Sequence, residues 1–181
     1  KTLEKDLAQR RERHLYRERL VLESPQGVEV RVGEETLLSF CSNNYLGLAN
    51  HPQVIAAFKN GAERYGVGAG ASHLVSGHSR AHHALEEELA DFVGTERALL
   101  FSTGYMANLG VVSALTDRHD IIFEDRLNHA SLIDATRLAR AKVSRYPHVN
   151  VNQLASMLAQ ARRPGLITTD AVFSMDGDIA P

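Results

Sequence analysis

The sequence predicts an α/β protein in which helices cover both faces of a mostly parallel sheet, a three-layer α/β/α arrangement. From residue 98 onward, short apolar runs of strand length alternate with segments that have helical periodicity. Such βαβ alternation is typical of parallel sheets, because parallel strands need a long crossover. Hydrophobic residues make up 44% of the chain and charged residues 23%, as in ordinary globular proteins.

An arm is predicted to precede this domain. Residues 1–22 have the spacing of an amphipathic helix, which Pro25 and Gly27 follow as breakers. Residues 28–32 alternate between apolar and polar, and residues 36–42 read as the returning strand of a hairpin. We therefore divide the chain into an arm, 1–50, and an α/β domain, 51–181.

The α/β domain is predicted to start with two helices around a glycine-rich loop. Pro52 can begin the first helix, residues 66–72 form the loop, and Gly94 can end the second helix. Further helices separate the strands that follow. These strands are predicted at residues 98–102, 120–125, 142–146 and 165–174.

Charge and composition exclude several classes of protein. The formal net charge of −2 removes the usual electrostatic case for nucleic-acid binding. No apolar run approaches the roughly 20 residues that span a bilayer, so we expect no membrane partner. The single cysteine, Cys41, fits a reducing compartment, and we expect the protein to be cytoplasmic.

Three predicted strands are followed by polar motifs at the edge where ligands of α/β sheets gather. In STGYMAN, Thr103 and Gly104 begin a helix whose amides suit a phosphate, although ordinary N-capping explains them equally well. In LNHASL, His129 can stack on a flat ligand or simply cap a helix. Asp170 and Ser174 lie near the end of the last strand. They can contribute to a ligand site at this edge, or they can simply belong to a strand and the tight turn after it.

Two other motifs are weaker. Gly66, Gly68 and Ala71 satisfy the dinucleotide fingerprint of NAD-dependent enzymes, but a helical pattern stands where that fingerprint needs a strand. The histidines between residues 73 and 83 lack the carboxylate or cysteine of a convincing metal site, so we expect no metal.

The motifs together resemble those of a known family. CSNNYLGLANHP, GVGAG, VSGHSRAHHALEEELA, ALLFSTGYMAN, DRLNHASLIDA and TDAVFSMDGD are similar to the α-oxoamine synthases, in unbroken order over nearly the whole chain. These enzymes use pyridoxal 5'-phosphate and have the aspartate aminotransferase fold, which is fold type I of the pyridoxal-phosphate enzymes. The resemblance implies that this cofactor binds at the sheet edge.

The resemblance also implies roles for individual residues. Gly104 and Tyr105 match the backbone donors to the cofactor phosphate, His129 matches the histidine that stacks on the cofactor ring and places the substrate, and Ser174 matches a serine near the cofactor's phenolic oxygen. His129 and Ser174 are thus the predicted catalytic residues. Asn43 matches a residue near the amino-acid carboxylate, and Arg17 aligns more loosely with an arginine at the substrate end.

Within the family, VSGHSRAHHALEEELA favours the branch that condenses L-alanine with a pimeloyl thioester, of coenzyme A or of a carrier protein, and releases CO2 in biotin biosynthesis. The glycine C-acetyltransferase branch is the alternative. A homodimer with active sites between subunits is also implied.

The family needs a lysine that binds the cofactor covalently. The chain has four lysines, and none is predicted at the ligand edge: Lys1, Lys5, Lys59 and Lys142. We therefore expect that the lysine and the aspartate facing the pyridine nitrogen lie beyond Pro181, and that the isolated chain is an inactive N-terminal part. A structural or assembly role for a cofactor-free fragment is the competing hypothesis.

Overall fold

The computed structural model describes residues 2–163 and 165–181. The chain forms two compact units, the first ending at Ser79 and the second running from Arg80 to Pro181. The boundary between arm and domain near residue 50 stays a prediction. Within the described residues, no helix is both long and apolar enough to cross a membrane.

The first unit begins with helix α1, which is shorter than predicted. It covers Leu3–Glu12 instead of residues 1–22. His14 adopts a φ of 55°, and the Leu15 amide donates back to the Arg10 carbonyl, which closes the last turn as in other left-handed helix ends. Leu22 then pairs with Val32 in an antiparallel bridge, so the later part of the predicted helix is extended.

The predicted hairpin is present, with shorter strands. β1 (Glu29–Val32) pairs antiparallel with β2 (Glu35–Leu38). Gly33, in the tight turn between them, has a φ of 59°, which glycine adopts at little cost.

Helix α2 (Pro52–Tyr65) follows a single 3-10 turn at Leu48–Asn50. The glycine-rich loop therefore follows a helix, and the strand that the NAD fingerprint requires is not there. The loop leads into a π-helical turn at His73–Gly77, where His73 Nδ1 lies 3.0 Å from His78 Nδ1.

The second unit contains the alternating helices and strands. In chain order they are α3 (Arg80–Val93), α4 (Gly104–Leu115), β3 (Ile121–Asp125), α5 (Ala130–Leu138), β4 (Lys142–Tyr146), α6 (Val151–Gln160) and β5 (Leu166–Thr168). The strands form one parallel sheet in the order β4-β3-β5. This confirms the predicted α/β class with a parallel sheet.

Two strand predictions need correction. Residues 98–102 form no strand: the Leu100 amide donates to Glu86 Oε1 at 3.0 Å, and no strand of the described residues pairs with this segment. The last strand was expected over residues 165–174 but ends at Thr168. Beyond it the chain turns back on itself, and Val172 pairs with Ile179 in an antiparallel bridge.

The core of this unit lies between the sheet and the helices α4 and α5. Val112, Ile122 and Ala135 are almost fully buried and in contact with one another. Gly165 permits close packing here, because a Cβ atom at this position would lie 2.5 Å from the Ile121 carbonyl oxygen. The packing fixes the central strand β3, whose carboxyl end carries the site described next.

Candidate active site at the carboxyl edge of the sheet

A cavity of about 250 Å³ lies where β3 and β5 end. Its walls come from two chain segments: the loop after β3, which enters α5, and the turn that follows β5. Its lining consists of Leu127, Asn128, His129, Ala130, Asp170, Phe173, Ser174, Met175 and Asp176. The predicted residues His129 and Ser174 are thus brought together, with Asp170 beside them.

The loop after β3, residues 127–131, is fixed to β5 by polar contacts. The buried Asn128 side chain donates from Nδ2 to the Thr168 carbonyl at 2.8 Å, and the His129 amide donates to Asp170 Oδ2 at 2.6 Å. Asn128 Oδ1 is buried without a hydrogen-bond partner. We refer to residues 127–131 as the histidine loop.

A chain of hydrogen bonds orients the His129 ring. Its Nδ1 accepts from the Ser131 amide at 3.1 Å and lies 2.7 Å from Ser131 Oγ, which in turn accepts from Asn108 Nδ2 at 2.8 Å. Because Nδ1 accepts, the proton of the neutral ring is on Nε2. The ring is therefore held at the start of α5 by a residue of α4.

The start of α4 is capped as the sequence predicted. Thr103 Oγ1 accepts from the Met106 amide at 3.1 Å. The amides of Gly104 and Tyr105 belong to the first turn, where a helix has no internal acceptors for them. The Tyr105 hydroxyl donates to Asp134, and this bond raises the pKa of Tyr105. Neither Gly104 nor Tyr105 lines the cavity.

The opposite wall of the cavity is a tight turn, residues 173–178, which we call the serine turn. The Phe173 amide donates to the Asp178 carbonyl at 2.9 Å, and the Gly177 amide donates to the Phe173 carbonyl at 2.8 Å. Gly177 has a φ of 74°, which favours glycine. Ser174 is exposed at the tip of this turn.

Asp125 is almost fully buried, and His148 links it to Asp178 of the serine turn. Its carboxylate accepts from the amides of Leu127 and Val149, both at 2.9 Å, and from His148 Nδ1 at 3.0 Å. Burial by itself raises the pKa of Asp125, but these three hydrogen bonds outweigh it, so the pKa lies below its usual value.

Arg17 and Asn43 belong to the first unit, and both are exposed. Arg17 follows helix α1, so its expected position on the opening helix is wrong, because that helix ends at Glu12. Asn43 lies in an irregular loop before the 3-10 turn.

No lysine of the described residues lines the cavity. Lys5 is on α1, Lys59 is exposed on α2, and Lys142 begins β4 at the amino edge of the sheet. Lys1 lies outside the described residues.

Three residues that organise the site were not predicted from the sequence. Asn108 and Ser131 orient His129, and His148 contacts Asp125. Asn108 and Ser131 do fall within the family motifs STGYMAN and NHAS, which is the one signal that could have suggested them. His148 lies in an ordinary loop sequence between β4 and α6.

Residues 35–181 match the aminotransferase class I and II family. The chain belongs to this family. The chain is 63% identical to the curated 8-amino-7-oxononanoate synthase of Nitrosospira multiformis and 64% identical to that of Nitrosomonas eutropha. These alignments each cover 97% of the chain but only 44% and 46% of the relatives. The chain thus spans less than half of their length.

Solved structures agree with this assignment. The match to a serine palmitoyltransferase from S. paucimobilis with a bound PLP–myriocin aldimine covers 99% of this chain and 46% of the palmitoyltransferase chain. Its TM-score is 0.90 and the sequences are 32% identical. The 8-amino-7-oxononanoate synthase of Francisella tularensis covers 78% of the chain and 39% of its own, with a TM-score of 0.66 and 36% identity. The predicted resemblance to α-oxoamine synthases and the fold type are confirmed.

Proposed function

We propose that this chain is part of a pyridoxal-phosphate-dependent 8-amino-7-oxononanoate synthase. The whole enzyme would condense L-alanine with a pimeloyl thioester, of coenzyme A or of a carrier protein, and release CO2 in biotin biosynthesis. The observation that carries this proposal is the cavity that joins His129, Asp170 and Ser174, in a chain more than 60% identical to curated synthases.

The residues present fit the cofactor. The cavity has an oriented imidazole in one wall and a hydroxyl in the other, and Asn128 leaves a buried acceptor without a partner beside them. When bound, pyridoxal phosphate supplies the electron sink for carbanion chemistry at the amino acid. The protein supplies binding, orientation and electrostatics.

The start of α4 is proposed to bind the phosphate. Because Thr103 caps the Met106 amide, the amides of Gly104 and Tyr105 remain as donors at the positive end of the helix dipole. The Tyr105 hydroxyl donates to Asp134, so we assign the backbone amide of Tyr105, and not its hydroxyl, to the phosphate. The phosphate would therefore be bound by backbone amides.

His129 and Ser174 are the proposed catalytic residues. With Nδ1 occupied by Ser131, the His129 ring offers its face for stacking on the cofactor ring and its Nε2 proton for a substrate oxygen. Ser174 offers a hydroxyl at the opposite wall, where, as the resemblance implies, it would contact the bound cofactor. Both side chains would restrict the amino acid to one orientation, which is the main contribution of such groups to rate.

Further assignments rest on the family resemblance. Asn43 and Arg17 are proposed to bind substrate, Asn43 near the amino-acid carboxylate and Arg17 at the substrate end of the site. A homodimer, with each active site between two subunits, is proposed for the whole enzyme, and a cytoplasmic location for the reaction.

The test is an assay of the complete enzyme that carries this sequence. It should release CO2 and form 8-amino-7-oxononanoate from L-alanine and pimeloyl-CoA. His129→Ala should lower kcat/KM by about 100-fold, because the substrate loses its orientation. His119→Ala, at an exposed loop position before β3, is the matched control and should keep the parent activity.

Two other substrate pairs decide the branch. Turnover of glycine with acetyl-CoA in preference to L-alanine would favour the glycine C-acetyltransferase alternative. Turnover of serine with palmitoyl-CoA is the third arm, because serine palmitoyltransferase structures superpose with a TM-score of 0.90. Preference for either pair would contradict the proposed function.

A further inference from the structure

His148 joins the serine turn to the end of the central strand. Its Nδ1 lies 3.0 Å from Asp125 Oδ1, and its Nε2 lies 2.8 Å from Asp178 Oδ2. Asp125 ends β3, and Asp178 ends the serine turn. One imidazole therefore links the sheet directly to the segment that carries Ser174.

The two contacts require a charged ring. A carboxylate only accepts hydrogen bonds, and a neutral imidazole has one donor nitrogen. Both contacts are hydrogen bonds only when both ring nitrogens carry protons, as in the imidazolium form. Loss of one proton would place a nitrogen lone pair against a carboxylate oxygen, at 3.0 Å for Asp125 or 2.8 Å for Asp178.

The surroundings of the ring favour the charged form. Asp125 faces the ring from β3, and Asp176 and Asp178 face it from the serine turn. A ring nitrogen of His148 and one carboxylate oxygen of each of Asp176 and Asp178 all lie within 4.8 Å of one another. Tyr146 precedes it at the end of β4, and α6 carries no titratable side chain. The hydrogen bond to Asp125 raises the pKa of His148, burial opposes this, and the bond to Asp178 raises it further.

The ring is also packed in one orientation. The edge of one ring meets the face of the other between His148 and Phe173, with centroids 4.4 Å apart and planes at 87°. Phe173 is buried and is the first residue of the serine turn. The imidazole thus contacts both ends of the turn, Phe173 by packing and Asp178 by a hydrogen bond.

We propose that His148 is a positioning residue of the active site: as an imidazolium bonded to Asp125 and Asp178, it holds the serine turn so that Ser174 faces His129 across the cavity. This inference rests on the proposed function for the meaning of Ser174. When the ring loses its proton, the contact to Asp178 is the one that breaks, because Asp178 is partly exposed to water while Asp125 is buried with two further donors.

The experiment observes the ring and the turn separately, in the ¹⁵N-labelled chain. Long-range ¹H–¹⁵N spectra should show both His148 ring nitrogens protonated at pH 7. His148→Gln should speed hydrogen exchange of the Gly177 and Phe173 amides by about 10-fold, the effect of losing a charge-assisted hydrogen bond. His119→Gln is the control, and exchange in the turn should not change.

Asp178→Asn provides a second variant that keeps His148 and its bond to Asp125. It should also speed exchange in the turn, and the ring should then titrate closer to its ordinary pKa. A neutral ring at pH 7 in the parent chain would overturn the proposal. So would exchange at Gly177 that neither variant changes.

Binding of pyridoxal phosphate to the complete enzyme is measured in parallel by its absorbance. Failure of the parent enzyme to bind it contradicts the proposed function, while the ring and exchange data still decide the role of His148. If the parent binds and His148→Gln binds with an unchanged spectrum and unchanged KM for L-alanine, His148 does not position the site.

Discussion

The two walls of the cavity are held in place by different kinds of contact. In the histidine loop, most contacts involve amide, hydroxyl and backbone groups. Asn128 donates to a carbonyl of β5, and the Ser131 hydroxyl forms hydrogen bonds with both Asn108 and the His129 ring. The serine turn instead depends on an imidazole between two carboxylates. The two carboxylates that bind the histidine loop, Asp125 and Asp170, accept from backbone amides, which do not titrate. Near neutral pH the first wall should therefore change less with protonation than the second.

The largest effect is expected from removing the buried carboxylate of Asp125, which His148 links to the serine turn. Asp125→Ala leaves two amides and His148 without their acceptor. It should lower the free energy of unfolding by about 3 kcal/mol, the range for breaking buried charged hydrogen bonds. Urea unfolding measures this loss.

Asp91→Ala is the control for this variant, because Asp91 is exposed on α3. It should change the free energy of unfolding by less than about 0.5 kcal/mol. A similar small change in Asp125→Ala would show that the serine turn does not depend on the buried carboxylate.

A smaller effect is expected in the histidine loop. Asn128→Ala removes the buried neutral hydrogen bonds from Nδ2 to the Thr168 carbonyl and, at 3.3 Å, to its hydroxyl. It also removes the Oδ1 atom, which has no hydrogen-bond partner. The free energy of unfolding should fall by about 1 kcal/mol. The fall should be the same at pH 6 and pH 8, and a clear difference between these two values would contradict the contrast between the walls.

The smallest effect is the pH dependence of the parent chain. Because the pKa of Asp125 is lowered, its contribution to the free energy of unfolding is present above about pH 4. This contribution is lost as pH falls through the folded-state pKa. Because the pKa of His148 is raised, its contribution is complete below about pH 6.5 and is lost as pH rises through the folded-state pKa.

Urea midpoints measured from pH 3 to pH 9 test both the acid and the alkaline decline in stability. Asp178→Asn should shift the alkaline decline to lower pH and make it shallower, because His148 then has one carboxylate partner. Equal alkaline limbs in the parent chain and in this variant would mean that Asp178 does not stabilise the charged ring.

Much of this arrangement could be predicted from local sequence. The strands at residues 120–125 and 142–146, the helix after Gly104 and the helix from Pro52 agree with the structure to within a residue or so. The carboxyl ends of the strands of a parallel sheet lie at one edge, so the sequence alone predicts that His129 and Ser174 lie near each other. Their chemical roles stay predictions.

The errors have physical causes. Residues 98–102 have the composition of a buried strand, but a strand exists only with a partner, and here Glu86 binds the backbone instead. Charged residues after Glu12 kept a helical pattern, yet a left-handed residue at His14 ended the helix. His148 was missed because its partners are 23 and 30 residues away, beyond the reach of any local pattern.

The strand order β4-β3-β5 has a consequence for how the chain folds. β3 is central in the sheet but first in sequence, and both of its ladders are parallel, so each forms only after a helical crossover has been made. During synthesis the histidine loop therefore emerges well before the serine turn that faces it, because His129 precedes even Asp170, which lies before that turn, by 41 residues. The cavity needs both segments, and a nascent chain that stops before Gly165 would carry His129 without β5 or an opposite wall.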